Sequence, residues 1–232
     1  MSKYQFRQSD IYLPGTDIPV NRLGIDNPEI LQLIEAQLLQ EAYQGFGAKL
    51  QTDTAFDEAF FCGLHRHTFE SLYTWAGSYR TEDMVKGGSM FCRAAYLPQE
   101  SRRIFDKLAA EDFLRSAADN ETGFAERLAH YQSEIIALHP FYELNGRITR
   151  LFFDLIAMSS GYEPIDYGKA LRADAEVDNN YIRASIDCVQ RADSRLLQQL
   201  IFSGLTKVQT GTRLAQLGGT EPGLEITPRR RS

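Results

Sequence analysis

The sequence predicts an all-α fold, a mostly helical bundle with one small β-hairpin as a flap. Three observations carry this expectation. Apolar residues recur at helical spacing through most of the chain. Helix start and stop residues stand at the ends of those stretches, among them Asn27-Pro28, Pro140 and Gly161. A single segment, Tyr79 to Tyr96, breaks the pattern with Gly87-Gly88 set between residues of mixed strand propensity.

In order along the chain, residues 1–27 are irregular, with turn chemistry at Leu13-Pro14-Gly15-Thr16-Asp17. Asp26 or Asn27 caps a first helix and Pro28 sits in its first turn. Ile30, Leu31, Ile34, Leu38 and Leu39 form its apolar stripe, and Gly45 and Gly47 are expected to end it. A second helix is expected from about Asp53 to Leu72, with Phe56, Phe60, Leu64 and Phe69 inward. The flap follows, and then a third helix over Pro98–Leu114 and a polar connection over 116–123. Phe124, Leu128, Tyr131, Ile135 and Leu138 mark a fourth helix. Pro140 disfavours helical geometry in the residue before it, so this helix ends at Leu138–His139. A fifth begins near Asn145, turns Ile148, Leu151, Phe152, Leu155 and Ile156 inward, and stops at Gly161. Arg147 and Arg150 lie off that apolar face. Two more helices, about 169–190 and 192–205, complete the core, the first with Asn179-Asn180 inside it.

The expected organisation is one domain over 1–205, an N-terminal extension (1–45) on a helical core (46–205), followed by a tail over 206–232. That tail has few large apolar residues and reads as mobile or as an added helix over Lys207–Leu217. No internal repeat is present. A chain of 232 residues, 43% hydrophobic and 24% charged, has the composition of an ordinary soluble domain. Its net charge of -6 argues against direct nucleic-acid binding, and Arg229-Arg230-Arg231 reads as a solvated end. No apolar run reaches membrane length, and the first ten residues lack a signal-peptide core. Three scattered cysteines, Cys62, Cys92 and Cys188, suggest reduced thiols and a cytoplasmic setting. His65 and His67, two apart, would point to different faces of a helix. Tyr4, Phe6, Tyr12 and Tyr43 read as ordinary core or as an aromatic N-terminal surface.

The chemistry concentrates in His139-Pro140-Phe141-Tyr142-Glu143-Leu144-Asn145-Gly146-Arg147-Ile148-Thr149-Arg150. The start of the fifth helix carries unpaired N–H groups and the positive end of the helix dipole, a natural place for phosphate. Asn145 and Gly146 sit there, and glycine lets backbone approach a ligand. Arg147 and Arg150 project nearby and suit phosphate oxygens. Glu143 is a hard oxygen ligand suited to Mg²⁺, and His139 can take a proton near neutral pH. Phe141 reads as the anchor that pins the loop into the core. Singly, each residue has a bland structural reading. Jointly, they describe a site for Mg-bound polyphosphate and a hydroxyl to be deprotonated, that is, phosphoryl or nucleotidyl transfer. The chain contains no P-loop pattern.

At these residues the sequence resembles the Fic (filamentation induced by cAMP) family, whose motif is H-P/x-F-x-D/E-G-N-G-R-x-x-R. His139, Pro140, Phe141, Glu143, Asn145, Gly146, Arg147 and Arg150 match it. The likeness continues in His65-Arg66-His67-Thr68-Phe69, in Tyr73-Thr74-Trp75-Ala76-Gly77-Ser78-Tyr79-Arg80-Thr81, and in Lys86-Gly87-Gly88-Ser89-Met90-Phe91-Cys92, and covers roughly residues 10–200. The resemblance implies protein AMPylation, the transfer of AMP from Mg-ATP to a Ser, Thr or Tyr hydroxyl of a target protein. It casts His139 as general base, Glu143 as Mg²⁺ ligand, and Asn145 and Gly146 as the cradle for the α- and β-phosphates. Arg147 and Arg150 would hold the outer phosphates. The flap, with Val85, Lys86, Gly87, Gly88, Phe91 and Cys92, would align the target by strand addition.

Leu144 departs from the motif, which has Gly there. Its side chain could block or tilt the nucleotide or point into the core. The alternatives are a different nucleotide or phosphate donor, or a degenerate domain that binds a nucleotide or partner. The family's inhibitory pattern, S/T-x-x-x-E-G/N, has no match; the nearest string, Thr54-Ala55-Phe56-Asp57-Glu58-Ala59, lacks the final Gly or Asn. The resemblance thus implies a brake on a separate small antitoxin, or none.

Overall fold

The computed structural model describes residues 10–171 and 179–209, and among them seven α-helices follow one another. They are α1 (Pro28–Lys49), α2 (Glu58–Phe69), α3 (Leu97–Ala110), α4 (Glu121–Leu138), α5 (Asn145–Ser159), α6 (Asn180–Arg191) and α7 (Arg195–Gly204). One antiparallel hairpin, β1 (Val85–Lys86) and β2 (Ser89–Met90), interrupts them, with Val85 opposite Met90 and Lys86 opposite Ser89. Gly87 and Gly88 make its turn with φ of 54° and 79°, the left-handed geometry that two-residue hairpins need. The all-α architecture with a small β flap is the one expected.

The centre is α4, which packs against α3, α5, α6 and α7. Beside it, α5 has Ile148, Leu151, Phe152, Phe153, Leu155, Ile156 and Ala157 fully buried. Aromatic rings from α2 close the other side of α5: Phe61 meets Phe152 edge-on at 5.2 Å. Because α4 and α5 are joined by only six residues, the loop between them is fixed at both ends by the best-packed part of the core.

Several element boundaries differ from expectation, each for a local reason. The first helix runs through Gly45 and Gly47 to Lys49, because its last turns are held by tertiary packing. Phe46 lies 6.0 Å from Phe60, and a Cβ on Gly47 would stand 3.3 Å from Met158 of α5, so glycine permits that approach. The helix therefore crosses the expected border between extension and core at 45/46. The second helix starts at Glu58, not Asp53. Gln51 and Thr54 form a turn instead, and the Asp57 side chain caps the helix by accepting from the Phe60 N–H at 2.8 Å. It ends at Phe69, where a turn carries the chain to Leu72.

The third helix stops at Ala110, since Asp112, Phe113 and Leu114 all adopt positive φ and turn the chain into a short 3-10 segment, Asp112–Ala117. Leu114 is buried there and holds the turn in place. Asn179 stands outside the sixth helix as its cap, accepting from the Ile182 N–H at 3.1 Å. Of the helix expected over 169–190, α6 forms from Asn180 onward, Gly168–Ala170 is a 3-10 turn, and residues 172–178 lie outside the described part. The seventh helix starts at Arg195 rather than 192, where Ala192 takes a positive φ of 51°.

Past α7 the chain still packs, with Lys207 bridging Tyr162 and the Val208 N–H donating to Gly161. The expected tail border at 205 is thus passed by ordered pairing. The rest of the expected Lys207–Leu217 helix, Arg229-Arg230-Arg231, Tyr4 and Phe6 lie outside the described residues. No helix among the described residues is long and apolar enough to cross a membrane.

Candidate functional site

His139 is the C-cap of α4 and takes a left-handed conformation, φ 45° and ψ 60°. Its N–H still donates to Ile135 at 3.0 Å, and the next residue is Pro140, so the helix ends and the chain turns sharply. The imidazole is half-buried and stacks on Phe91, just after β2, with ring centroids 3.8 Å apart and planes 13° apart. The base expected from the sequence and the flap expected from it are therefore in direct contact.

Phe141 is fully buried, with its ring 4.0 Å from His65 and 5.5 Å from Phe61. His65 is buried too, and its Nδ1 accepts from the Gly77 N–H at 3.0 Å. Its Nε2 lies 3.1 Å from the Glu143 carbonyl, so the hydrogen-bond pattern assigns the proton to Nε2. Burial pushes the His65 pKa down to about 4, which keeps the ring neutral. His67, two residues on, is exposed, as the helical spacing requires.

Asn145 starts α5, but its side chain serves the loop. Its Nδ2 donates to the Phe141 carbonyl at 2.7 Å and its Oδ1 accepts from the Phe141 N–H at 2.9 Å. One donor and one acceptor of the amide are thereby committed to the loop. No side chain caps α5, since its cap position is Leu144. Leu144 adopts φ 67° and ψ 9°, the left-handed conformation that a glycine would take without strain. Its side chain is buried in the main apolar cluster. A Cβ on Gly146 would meet only Arg150, 3.7 Å away, so the space above this turn is open.

Two cavities meet at this helix start. The larger, about 710 Å³, is lined by Asp17, Glu35, Glu143, Leu144, Asn145, Gly146, Arg147 and Arg150 among others. The second, about 480 Å³, is lined by His139, Phe91, Tyr181, Ile182 and Ile186 among others. Lys86, Asn145, Gly146 and Arg150 border both. The first is rich in charge, while the second mixes apolar side chains with the candidate base. A polyphosphate over the start of α5 and an apolar ring beside it would fit such a pair.

The structure also places residues that the sequence reading did not single out. Glu35 of α1 is buried and accepts from Arg147 Nη1 at 2.9 Å. Its other oxygen accepts from the Tyr73 hydroxyl at 2.5 Å. Burial, and after it Glu35, push the Tyr73 phenol well above its usual range, so it stays a donor. The signal for Glu35 was its place on the apolar stripe, four residues after Leu31. Arg150 lies over the Tyr181 ring, 5.0 Å from guanidinium to centroid. Tyr181 is fixed by Gln132 at 3.0 Å, and Gln132 in turn by Tyr167 at 3.0 Å. Asp154, one turn beyond Arg150, is pushed by burial to a pKa of about 7 and accepts from Tyr43 at 2.6 Å. Tyr12 donates to the Glu143 carboxylate at 2.7 Å, so Tyr12 and Tyr43 both pack inward rather than forming a surface.

Comparison with known proteins agrees with this geometry. The Fic/DOC family pattern matches residues 55–157. The chain is 34% identical over 158 residues to a protein of Salmonella typhimurium named probable protein adenylyltransferase Fic, covering 66% of this chain and 74% of that one. It is 32% identical over 163 residues to one of Sinorhizobium fredii named probable protein adenylyltransferase y4lH, covering 70% and 82%. In fold it is similar to the crystal structure of BepC from Bartonella tribocorum, which has bound AMPPNP. The TM-score is 0.71, with 19% identity over 86% of this chain and 97% of that one. With the motif assembled around one helix start and relatives that match over most of their length, the chain belongs to the Fic/DOC family.

Proposed function

We propose that this protein is an adenylyltransferase that moves AMP from ATP to a Ser, Thr or Tyr hydroxyl of another protein. The observation that carries this reading is the meeting of two cavities at the uncapped start of α5, with His139 at one, Arg147 at the other and Arg150 bordering both. The names of the relatives support it.

In this reading the triphosphate lies over the N-terminus of α5. The backbone N–H groups of Asn145 and Gly146 and the helix dipole receive the α- and β-phosphates. Arg147 and Arg150 hold the outer phosphates. The target hydroxyl oxygen attacks the α-phosphorus and the bond to the β-phosphate bridging oxygen breaks. AMP stays on the target, pyrophosphate leaves, and the hydroxyl proton passes to the His139 imidazole. His139 is held for this by its stack on Phe91. The flap residues Val85, Lys86, Gly87, Gly88, Phe91 and Cys92 present a short edge to which a target segment can add.

Mg²⁺ fits the donor set. Glu143 offers a carboxylate at the larger cavity, while the described residues contain no group of three or more His, Cys, Asp and Glu able to hold a metal. Glu143 would hold the ion, which would neutralise phosphate charge. The reading also includes a cytoplasmic setting, in keeping with three free cysteines, and a separate small inhibitory protein as partner.

A second reading rests on Leu144, which lines the phosphate cavity where the motif has glycine. It keeps the transfer chemistry but changes the nucleotide or phosphate donor. Incubation of the purified chain with Mg-ATP and a bacterial lysate, followed by mass spectrometry, tests the first reading. AMP adducts that disappear with His139→Ala support it. Adducts of another nucleotide, seen when a nucleotide mixture replaces ATP, support the second, and no adduct under either condition overturns both.

A further inference from the structure

Arg80 lies between α2 and the flap and is 1% exposed. Burying a guanidinium is costly unless its charge is compensated. It forms no ion pair among the described residues. Its three nitrogens instead donate to four backbone carbonyls. Nε donates to His139 at 2.8 Å, and Nη2 to Leu138 at 3.3 Å and to Cys92. Nη1 donates to Glu82 at 2.6 Å.

Two of those carbonyls belong to the end of α4, where helix carbonyls lack partners and a positive charge complements the dipole. The other two, Glu82 and Cys92, bracket the flap on either side of β1 and β2. Two backbone bonds reinforce the same junction. The Arg80 N–H donates to Pro140 at 2.8 Å, and the Cys92 N–H donates to Ala137 at 3.0 Å. Phe91, the neighbour of Cys92, carries the ring that stacks on His139. Ending a helix does not require a buried guanidinium, because glycine and water suffice elsewhere. What this fork does in addition is set three backbone segments against one another: the chain into the flap, the chain out of it, and His139.

We infer that Arg80 is a positioning residue whose guanidinium locks the flap to the backbone of His139, so that the target-docking edge and the proton-accepting imidazole move as one body. This rests on the adenylyltransferase reading for its catalytic consequence but not for the clamp itself. Lysine keeps the charge and loses the planar fork.

Two measurements test it. In Arg80→Lys, kcat should fall about a hundredfold, the order expected of a misplacement near 1 Å, while KM for ATP holds because α5 binds the nucleotide. A variant kcat equal to that of the wild type overturns the inference. Hydrogen exchange on the wild-type protein covers the case in which the variant fails to fold. The amides of Cys92 and His139 and the Arg80 Nε–H should open in one event, at one rate. Independent opening of Cys92 and His139 overturns the clamp whether or not AMP transfer occurs, whereas a wild-type chain without transfer but with concerted opening overturns only the adenylyltransferase reading.

Discussion

Arg147 of α5 donates to Glu35 of α1 at 2.9 Å, joining two helices 112 residues apart in sequence. Glu35 also receives the Tyr73 hydroxyl, so one buried carboxylate satisfies two donors. Glu35→Ala should leave a buried phenol and an arginine short of an acceptor and cost about 2 kcal/mol, the order of an unsatisfied buried polar group. Urea unfolding measures it. The loss should exceed that of Glu134→Ala, whose pairing with Arg103 is between half-exposed side chains.

His65 gives the protein a defined response to acid. Its folded pKa is depressed from 6.5 to about 4, so the unfolded chain takes up a proton first as pH falls. The stability held by neutral His65 is complete above about pH 6.5 and is lost as pH falls through the window down to about 4. His65→Gln keeps a donor and an acceptor without titrating. The stability gap between wild type and variant should therefore shrink steadily across that window. Asp154, whose pKa is raised to about 7, favours folding in the opposite direction, with its contribution present at low pH and lost as pH rises toward 7. It is common to both proteins and cancels from the difference.

Leu144 already has the backbone that a glycine would have, so Leu144→Gly should not move the start of α5. Removing a left-handed non-glycine residue relieves about 1–2 kcal/mol. Losing a buried leucine side chain costs about 1.5–3 kcal/mol. The net effect should be a loss of about 1 kcal/mol in a thermal or urea melt, with ATP-induced stabilisation retained or increased.

Tyr181 supports Arg150 from α6. Tyr181→Leu keeps the apolar bulk and removes the ring, and a cation–π contact of about 1 kcal/mol corresponds to roughly a fivefold rise in KM for ATP. An unchanged KM would show that Arg150 is placed by its own helix alone.

The site was legible in the sequence where local rules act. His139 had to end a helix because Pro140 follows it, and Arg147 and Arg150 had to leave the apolar face of α5 by spacing alone. Gly87-Gly88 announced the hairpin turn, and Asn27-Pro28 the first helix. What stayed hidden depends on partners distant in sequence. Gly45 and Gly47 look like helix ends until Phe60 and Met158 are seen holding that turn. The Asn145 amide gives no hint in the sequence that both its ends are held by Phe141. Nothing local in the sequence shows that four carbonyls converge on Arg80. The left-handed triplet at Asp112–Leu114 has no glycine to announce it, and it is held by the burial of Leu114, by Phe113 against Phe56 and by Arg115 on Asp112.

The central claim is AMP transfer with His139 as base. The most direct measurement incubates the purified chain and a lysate with Mg²⁺ and ATP labelled at the α-phosphate in one reaction and at the γ-phosphate in another, each beside His139→Ala. Label should appear on protein from the α-position alone and be lost in the variant. Label from the γ-position, or α-label undiminished in His139→Ala, would contradict the claim.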